Sequence, residues 1–526
     1  MARRTEGWAA GLYLAALART GLRLATVAGD DDRLVADFLQ TELLAGLSAR
    51  DLSFLTRTSV LDRLSGPLCD AVLEESGSTA ELEQLQAKNL FLVPLDGQGR
   101  WYRYHSLFRQ LLRRRLDRDG PEHSRRLLHR AADWCESDGQ LEAALHYAQD
   151  AEDVDRVARI TIALTQPMYA AGRVETVLSW FDWVDERGAV ERHPAVAALA
   201  AYMCALTGRP AAADRWADVA ERCDQQHSTD AGVGTFRMWL TTVRAVMCRH
   251  GMERMKREVD DARHVPGAGS AEDIDYPMRL FLSGLASLLL GDDDAAEALF
   301  TDATELTDEA VRPPLFSIIQ AYRAQLALGR GKWTDAETHV QRALSVVHRA
   351  RLESHISSAL VLALAARLAL HRGNAALAGA RLGEAQRLRP LLSHAVPWVA
   401  VGTLVEMAEV SIGLGDPGGA RQFVRDAEVV LRRRPDLGSL GKRTDELRER
   451  LAALQVAGAQ NSTLTAAELR ILPLLVTHLS VAGIADRLFV SRHTVKSQVW
   501  SMYRKLEVHT RSDAVARARE LGLLDG

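Results

Sequence analysis

The sequence predicts a mostly α-helical protein in three parts. A winged-helix-like module with one β-hairpin comes first, then a central α-solenoid of helix pairs, then a C-terminal four-helix domain containing a helix-turn-helix. Three observations predict this. Glycines fall at Gly139, Gly172, Gly208, Gly251, Gly291, Gly331, Gly373 and Gly415, with spacings of 33, 36, 43, 40, 40, 42 and 42, a period that marks stacked supersecondary units. Convincing strand patterns are confined to Phe91–Leu95 and Trp101–His105, joined by the turn Asp96-Gly-Gln-Gly99. The residues from Thr463 onward hold caps and apolar stripes for four short helices. The expected parts are 1–118, 119–455, a flexible linker at 456–462, and 463–526.

Composition sets the bounds. With 526 residues there is room for about three domains with real cores. Apolar residues at 47% and charged residues at 25% are those of an ordinary globular protein, and a net charge of −4 excludes chain-wide coating of nucleic acid. Any DNA contact must be local. Cys69, Cys135, Cys204, Cys223 and Cys248 are odd in number and lack CxxC spacing. They read as buried thiols in a reducing cytosol, not as a metal site or a disulfide framework. No uncharged run reaches the roughly 18 residues of a spanning helix, so no membrane partner is expected. Arg3-Arg4 before the apolar run Gly7–Ala18 mimics a short signal peptide. Glu6 and the alanine-rich character of the run argue against it.

The first part reads as helices at Asp37–Ala45 and Ala49–Arg57, a break at Gly66-Pro67, helices at Leu68–Glu75 and Leu82–Lys88, and then the hairpin. Helices followed by a two-stranded hairpin make a winged-helix pattern. Leu68–Glu75 ends acidic and lacks a basic face, so a structural role is expected over DNA contact. The runs Thr5-Glu-Gly-Trp-Ala-Ala-Gly-Leu12, Lys88-Asn-Leu-Phe91 and Tyr104-His-Ser-Leu-Phe-Arg109 resemble the end of the signal-transduction ATPases in large MalT-like regulators. In that family a nucleotide-binding domain comes first, and a histidine at the position of His105 reads the nucleotide phosphate. The P-loop that would cradle those phosphates is missing from this sequence, since Gly329-Arg-Gly-Lys332 is followed by Trp333 within a helical repeat. The resemblance therefore implies either a shortened reading frame or a regulator without its ATPase. No cofactor is expected, and His105 should be a packing or surface residue.

From Pro121 to Leu431 the glycine period continues through helical sequence. Small residues follow several of the glycines, at Ala143-Ala144, Ala211–Ala213, Ala295-Ala296, Ala336, Ala375-Ala376 and Gly419-Ala420, where they let paired helices approach. The pattern is similar to tetratricopeptide repeats but longer per repeat. Such a solenoid offers a surface to a peptide, a protein or a small molecule. Tyr169, Trp180, Trp183, Trp216, Trp239 and Trp333 could line a groove, but core positions between helices are the stronger expectation. Lys442–Leu454, with Leu447, Leu451 and Leu454 on one stripe, reads as a capping helix.

The last part is the most informative. Thr465 with Glu468 forms a capping box, opening a helix with Leu469, Leu472, Leu475 and Val476 on one face. Ser480 caps a second helix and Ser491 a third, His493–Leu506. Val495, Val499, Met502 and Leu506 make its buried stripe, leaving His493, Lys496, Ser497, Trp500 and Arg504 outside. Thr510 with Asp513 starts the fourth helix. From Thr463 onward nine Lys/Arg face six Asp/Glu, or +3, so the other 462 residues carry −7. A short helix, a tight turn and a longer helix with a basic outer face is a helix-turn-helix, whose second helix enters the major groove.

The run Leu464-Thr-Ala-Ala-Glu468, then Ile484-Ala485, Leu488, Val490-Ser491, Thr494-Val495-Lys496, Lys505-Leu506 and Val508 resembles the DNA-binding domain of LuxR-type bacterial transcription regulators. The resemblance implies that Lys496, Ser497 and Trp500 read bases. Arg492 and Thr494, at the helix N-terminus, are placed for phosphate, with His493 and Arg504 on the same outer face. Three departures touch the scaffold: His478 and Glu507 stand where the family usually has glycine, and Pro473 lies inside the first helix, where it costs roughly 3 kcal/mol if uncompensated.

The reading is a bacterial, cytoplasmic, non-enzymatic transcription regulator. Its expected partners are double-stranded DNA with an inverted-repeat operator, a second copy of the chain on that DNA, an unidentified inducer or protein on the solenoid, and RNA polymerase. The alternatives are a solenoid interaction scaffold whose tail binds protein, or a fragment of an ATP-controlled switch.

Overall fold

The computed structural model describes residues 47–87, 92–226, 233–264, 275–461, 464–477, 479–488 and 490–524. The expectations for Arg3-Arg4, Thr5–Leu12, Asp37–Ala45, Lys88–Phe91 and His478 lie outside them. The chain divides into two compact units, Met1–Val196 and Ala197–Gly526. No helix among the described residues is long and apolar enough to cross a membrane.

The first unit opens with α1 (Ala49–Thr58), α2 (Gly66–Leu73) and α3 (Ser78–Ala87). Pro67 does not break the chain before α2. It sits in the first turn, where its missing N–H has no helical partner to lose, and Ser65 caps the helix by accepting from Leu68 N at 3.4 Å. Helix α3 starts four residues before the expected Leu82. Strands β1 (Leu92–Pro94) and β2 (Tyr102–Tyr104) pair antiparallel, and Leu64 adds a further bridge to Tyr102 through two backbone bonds of 2.8 and 2.9 Å. Tyr104 is buried and shares a 2.6 Å hydrogen bond with Thr58, tying the wing to α1. His105 is buried at the N-cap of α4 (Ser106–Leu116), a packing position as expected. Two helix pairs complete the unit, α5 (Pro121–Ser137) with α6 (Leu141–Asp150) and α7 (Val154–Ala170) with α8 (Val174–Glu186).

Six more pairs follow: α9 (Pro194–Leu206) and α10 (Pro210–Gln226), α11 (Val233–Met247) and α12 (Met252–Arg263), α13 (Tyr276–Leu290) and α14 (Asp293–Glu305), α15 (Pro313–Gly329) and α16 (Trp333–Arg349), α17 (Ser357–His371) and α18 (Ala375–Gln386), α19 (Pro397–Gly413) and α20 (Pro417–Arg433). Every periodic glycine lies between the two helices of a pair with φ between 70° and 92°, a conformation that strains any residue with a Cβ. The period in the sequence is thus the period of the turns. Five residues beyond the glycine stands a fully buried small side chain in most pairs: Ala144, Ala213, Ala296, Ala336, Ala378 and Ala420. Ala375 and Ala376 are exposed, and Ala378 takes the close-approach position instead. Trp180 and Trp216 are buried as expected, whereas Tyr169, Trp183, Trp239 and Trp333 are half-buried.

Within the second unit the solenoid meets itself. Asp214 on α10 accepts from Arg434 Nη2 at 2.6 Å and lies 3.0 Å from His394 Nε2, while Trp398 Nε1 donates to Val246 O at 2.8 Å. Trp398, absent from the aromatic residues singled out by sequence, packs with Phe281 and Tyr322 in the core. On α19, Glu406 is completely buried and accepts from Arg367 at 2.7 Å and from Arg443 at 2.8 Å. Burial pushes the carboxyl up, but the two guanidinium groups outweigh it and hold the group below the usual carboxylate range.

Arg443 belongs to α21 (Ser439–Asn461), which corrects two expectations. The helix runs through 456–461, where a flexible linker was expected, because alanine and glutamine continue a helix already begun. Leu447 and Leu451 are buried, but Leu454 is 44% exposed. The tail also touches the last pair, where Arg421 Nη2 donates to Leu524 O at 3.3 Å.

Candidate nucleic-acid interface

The tail contains α22 (Ala466–Ile471), a 3-10 turn at Leu472–Leu475, α23 (Val481–Leu488), α24 (Arg492–Lys505) and α25 (Arg511–Glu520). Its core comprises Leu464, Ile471, Leu472, Leu475, Ile484, Ala485, Val495, Val499, Met502, Leu506, Ala514, Ala518 and Leu524.

The capping box forms as read. Thr465 accepts from Glu468 N at 3.4 Å, and Glu468 accepts from Thr465 N at 2.6 Å. Pro473 ends the α-helix at Ile471, and the chain tightens into the 3-10 turn. Val476 consequently leaves the buried stripe and is 45% exposed. The turn strands backbone carbonyls that a longer helix would have satisfied. Arg511 supplies the donors, reaching Leu475 O at 2.9 Å, Leu479 O at 2.7 Å, Thr477 O at 2.6 Å and Leu474 O at 3.2 Å. Sequence reading missed this residue. A signal was present, because a cation in the first turn of a helix opposes the macrodipole and needs a tertiary reason.

Helix α23 is capped by Ser480, which accepts from Gly483 N at 3.2 Å, and it buries Ile484 and Ala485. Phe489 lies outside the described residues, and Val490 is exposed. Ser491 caps α24 by accepting from Thr494 N at 3.0 Å, and its hydroxyl lies 2.7 Å from Thr494 Oγ1. Thr494 is therefore half-buried and engaged in the cap. Val495, Val499, Met502 and Leu506 are buried, so the rotation of α24 is fixed. Arg492, His493, Lys496, Ser497, Trp500 and Arg504 are all exposed, Trp500 to 74%. Ser497 Oγ donates to Thr494 O at 3.0 Å and so leans along the helix.

Ion pairing divides the cations of the tail. Lys505 is bound to Glu468 at 2.7 Å, Arg511 to the carbonyls, and Arg517 to Glu520 at 2.8 Å. Arg492, Lys496 and Arg504 make no ion pair among the described residues. Burial pushes the Glu468 carboxyl up, yet the bonds from Lys505 and Thr465 outweigh that and hold it at about 2. Glu507 ends α24 with φ 56°, while Val508 N donates back to Tyr503 O at 3.0 Å. The position has the left-handed geometry that glycine favours. An exposed, positively charged helix face set opposite a buried stripe can enter a groove and donate to phosphates and base edges.

Two family models match. Residues 40–124 match the MalT winged helix domain, and residues 462–518 match bacterial regulatory proteins, luxR family. The chain is similar to the HTH-type transcriptional regulator MalT of Klebsiella pneumoniae (strain 342), 32% identical over 192 residues, 34% of this chain and 21% of that protein. It is similar to the serine/threonine-protein kinase PknK of Mycobacterium tuberculosis (strain ATCC 25618 / H37Rv), 29% identical over 228 residues, 38% of this chain and 20% of that protein. The chain spans about a fifth of the length of these relatives. Among solved structures, a signal transduction ATPase with a tetratricopeptide repeat sensor from Pyrococcus horikoshii aligns with a TM-score of 0.45 and 13% identity, covering 86% of this chain and 71% of that one. The chain thus carries a MalT-type winged helix near its start and a LuxR-family helix-turn-helix at its end.

Proposed function

We propose that the chain is a cytoplasmic, sequence-specific DNA-binding transcription regulator with no enzymatic role. Residues 463–526 bind DNA, the solenoid at 119–455 receives a signal, and the winged-helix module at 1–118 is a remnant of a signal-transduction ATPase or a coupling element. The observation that carries the reading is the outer face of α24. Arg492, Lys496 and Arg504 stand there without acidic partners among the described residues, beside the exposed Trp500, while the opposite stripe is buried. Lys496, Ser497 and Trp500 read bases. Arg492 and Thr494 serve phosphate, with His493 and Arg504 flanking. Two tails pair through α25 on an inverted repeat, and RNA polymerase is a further partner on the promoter.

The experiment is selection of binding sites by the full chain from random duplex DNA, followed by titration at several salt concentrations. The expected outcome is an enriched inverted repeat whose affinity falls linearly in log salt. Absence of enrichment together with salt-independent binding would overturn the reading and favour a protein-binding tail.

A further inference from the structure

Beside the joint where the second unit's solenoid meets itself lies a cleft of about 600 Å³, bounded by α18, the 389–394 segment, α19 and α20. Its volume is within the roughly 300–1,000 Å³ of small-molecule pockets. Leu404 and Val430 are buried and line it together with Leu392, and Val429 lies at its edge with 53% of its surface exposed. Gln386 and Ser393 add hydrogen-bonding groups.

The charges of the lining are already matched. Arg389 is paired with Asp426, and His394 faces Asp214 at 3.0 Å. A charged ligand would have to be desolvated here without gaining a counter-ion, or would have to break one of these pairs. An uncharged ligand meets neither cost. It gains apolar burial against Leu392, Leu404 and Val430 and hydrogen bonds at Gln386 and Ser393. We propose that this cleft binds a small uncharged molecule with an apolar body and a hydrogen-bonding edge. The proposal rests on the solenoid as the signal-receiving part for its biological meaning. Its position supports that role, since Pro390 and His394 line the cleft and also meet α10 and its preceding turn. A bound molecule would therefore stiffen the joint.

The test uses the full chain and two fluorescent probes of shared framework. N-phenyl-1-naphthylamine is uncharged, and 8-anilino-1-naphthalenesulfonate carries an added sulfonate. The uncharged probe is expected to saturate one site per chain and to bind about tenfold more tightly than the sulfonate. Val429→Arg, which places an unmatched charge at the mouth, and Val429→Phe, which fills it, should each weaken the uncharged probe by about tenfold or more. Val311→Arg, at an apolar side chain 75% exposed elsewhere in the unit, should leave it unchanged. Failure to saturate, equal affinity for the two probes, or equal losses at Val429 and Val311 would overturn the proposal. DNA titration of the same samples is independent. Lost probe binding with intact DNA binding removes the cleft alone, and the reverse removes only the DNA reading.

Discussion

Lys505 Nζ lies 2.7 Å from Glu468 Oε2, so the last turn of α24 is fastened to the capping box of α22. One carboxylate therefore closes the first helix and anchors the end of α24. Its pKa is about 2 in the folded state against an ordinary 4.5. A depressed carboxylate stabilises the fold above its unfolded pKa, and that contribution is lost as pH falls through the folded value. Amide exchange at the tail should accordingly slow as pH rises from about 2 to 4.5, after correction for intrinsic rates. Glu468→Gln should flatten the dependence. An unchanged profile in that variant would show that other carboxylates set it.

Arg511 should be the tail's most sensitive cation. Its guanidinium serves four carbonyls left by the turn at Pro473. Arg511→Ala should cost on the order of 3 kcal/mol, and Arg511→Lys should recover only part, because an ammonium cannot fork across separate acceptors. Chemical denaturation followed by a probe in the tail measures both. A cost of a few tenths of a kcal/mol for Arg511→Ala would mean that water replaces the guanidinium freely.

Glu507→Gly should stabilise the tail. The residue is exposed, has φ 56°, and makes no ion pair among the described residues. Relief of left-handed strain is worth roughly 1 kcal/mol, partly offset by the greater freedom of glycine in the unfolded chain. A rise in the tail's melting temperature with unchanged DNA affinity is expected.

Arg443→Ala should loosen α21 from the solenoid. Glu406 is fully buried and, among the described residues, would keep Arg367 and Gln325. A lost charge-assisted bond to a buried carboxylate costs about 2–3 kcal/mol. Because α21 leads into the tail, proteolysis should begin within 439–461 in the variant. Cleavage elsewhere first would separate this ion cluster from the helix's docking.

What was legible in the sequence followed local rules. The periodic glycines, the capping box at Thr465 and the stripe from Val495 to Leu506 each need only neighbours in sequence. The misses came from distance. Trp398 is core because Val246 O receives its N–H across 152 residues, and Arg511 matters because of carbonyls more than 30 residues earlier. Leu454 matched the stripe by period but is 44% exposed, and 456–461 stayed helical where small residues suggested a linker.

The outer face of α24 gives the sharpest test. Lys496 and Arg492 are both exposed and lack acidic partners among the described residues, yet they stand at different heights on the helix. Arg492 begins it, where backbone N–H groups and the dipole favour phosphate. Lys496 lies one turn in, on the face that also carries Trp500, and the proposed function gives it a base edge to read. Lys496→Ala should therefore cost about 1–3 kcal/mol on operator DNA and much less on scrambled DNA. Arg492→Ala should weaken both alike and flatten the salt slope by about one phosphate's worth. Trp500→Ala should reduce preference for thymine at one position, since a ring 74% exposed in the free protein can pack on a methyl group. Titrations of all three variants on both DNAs decide it. Equal losses for Lys496→Ala on the two DNAs would place Lys496 on phosphate and move the base-reading role elsewhere on α24.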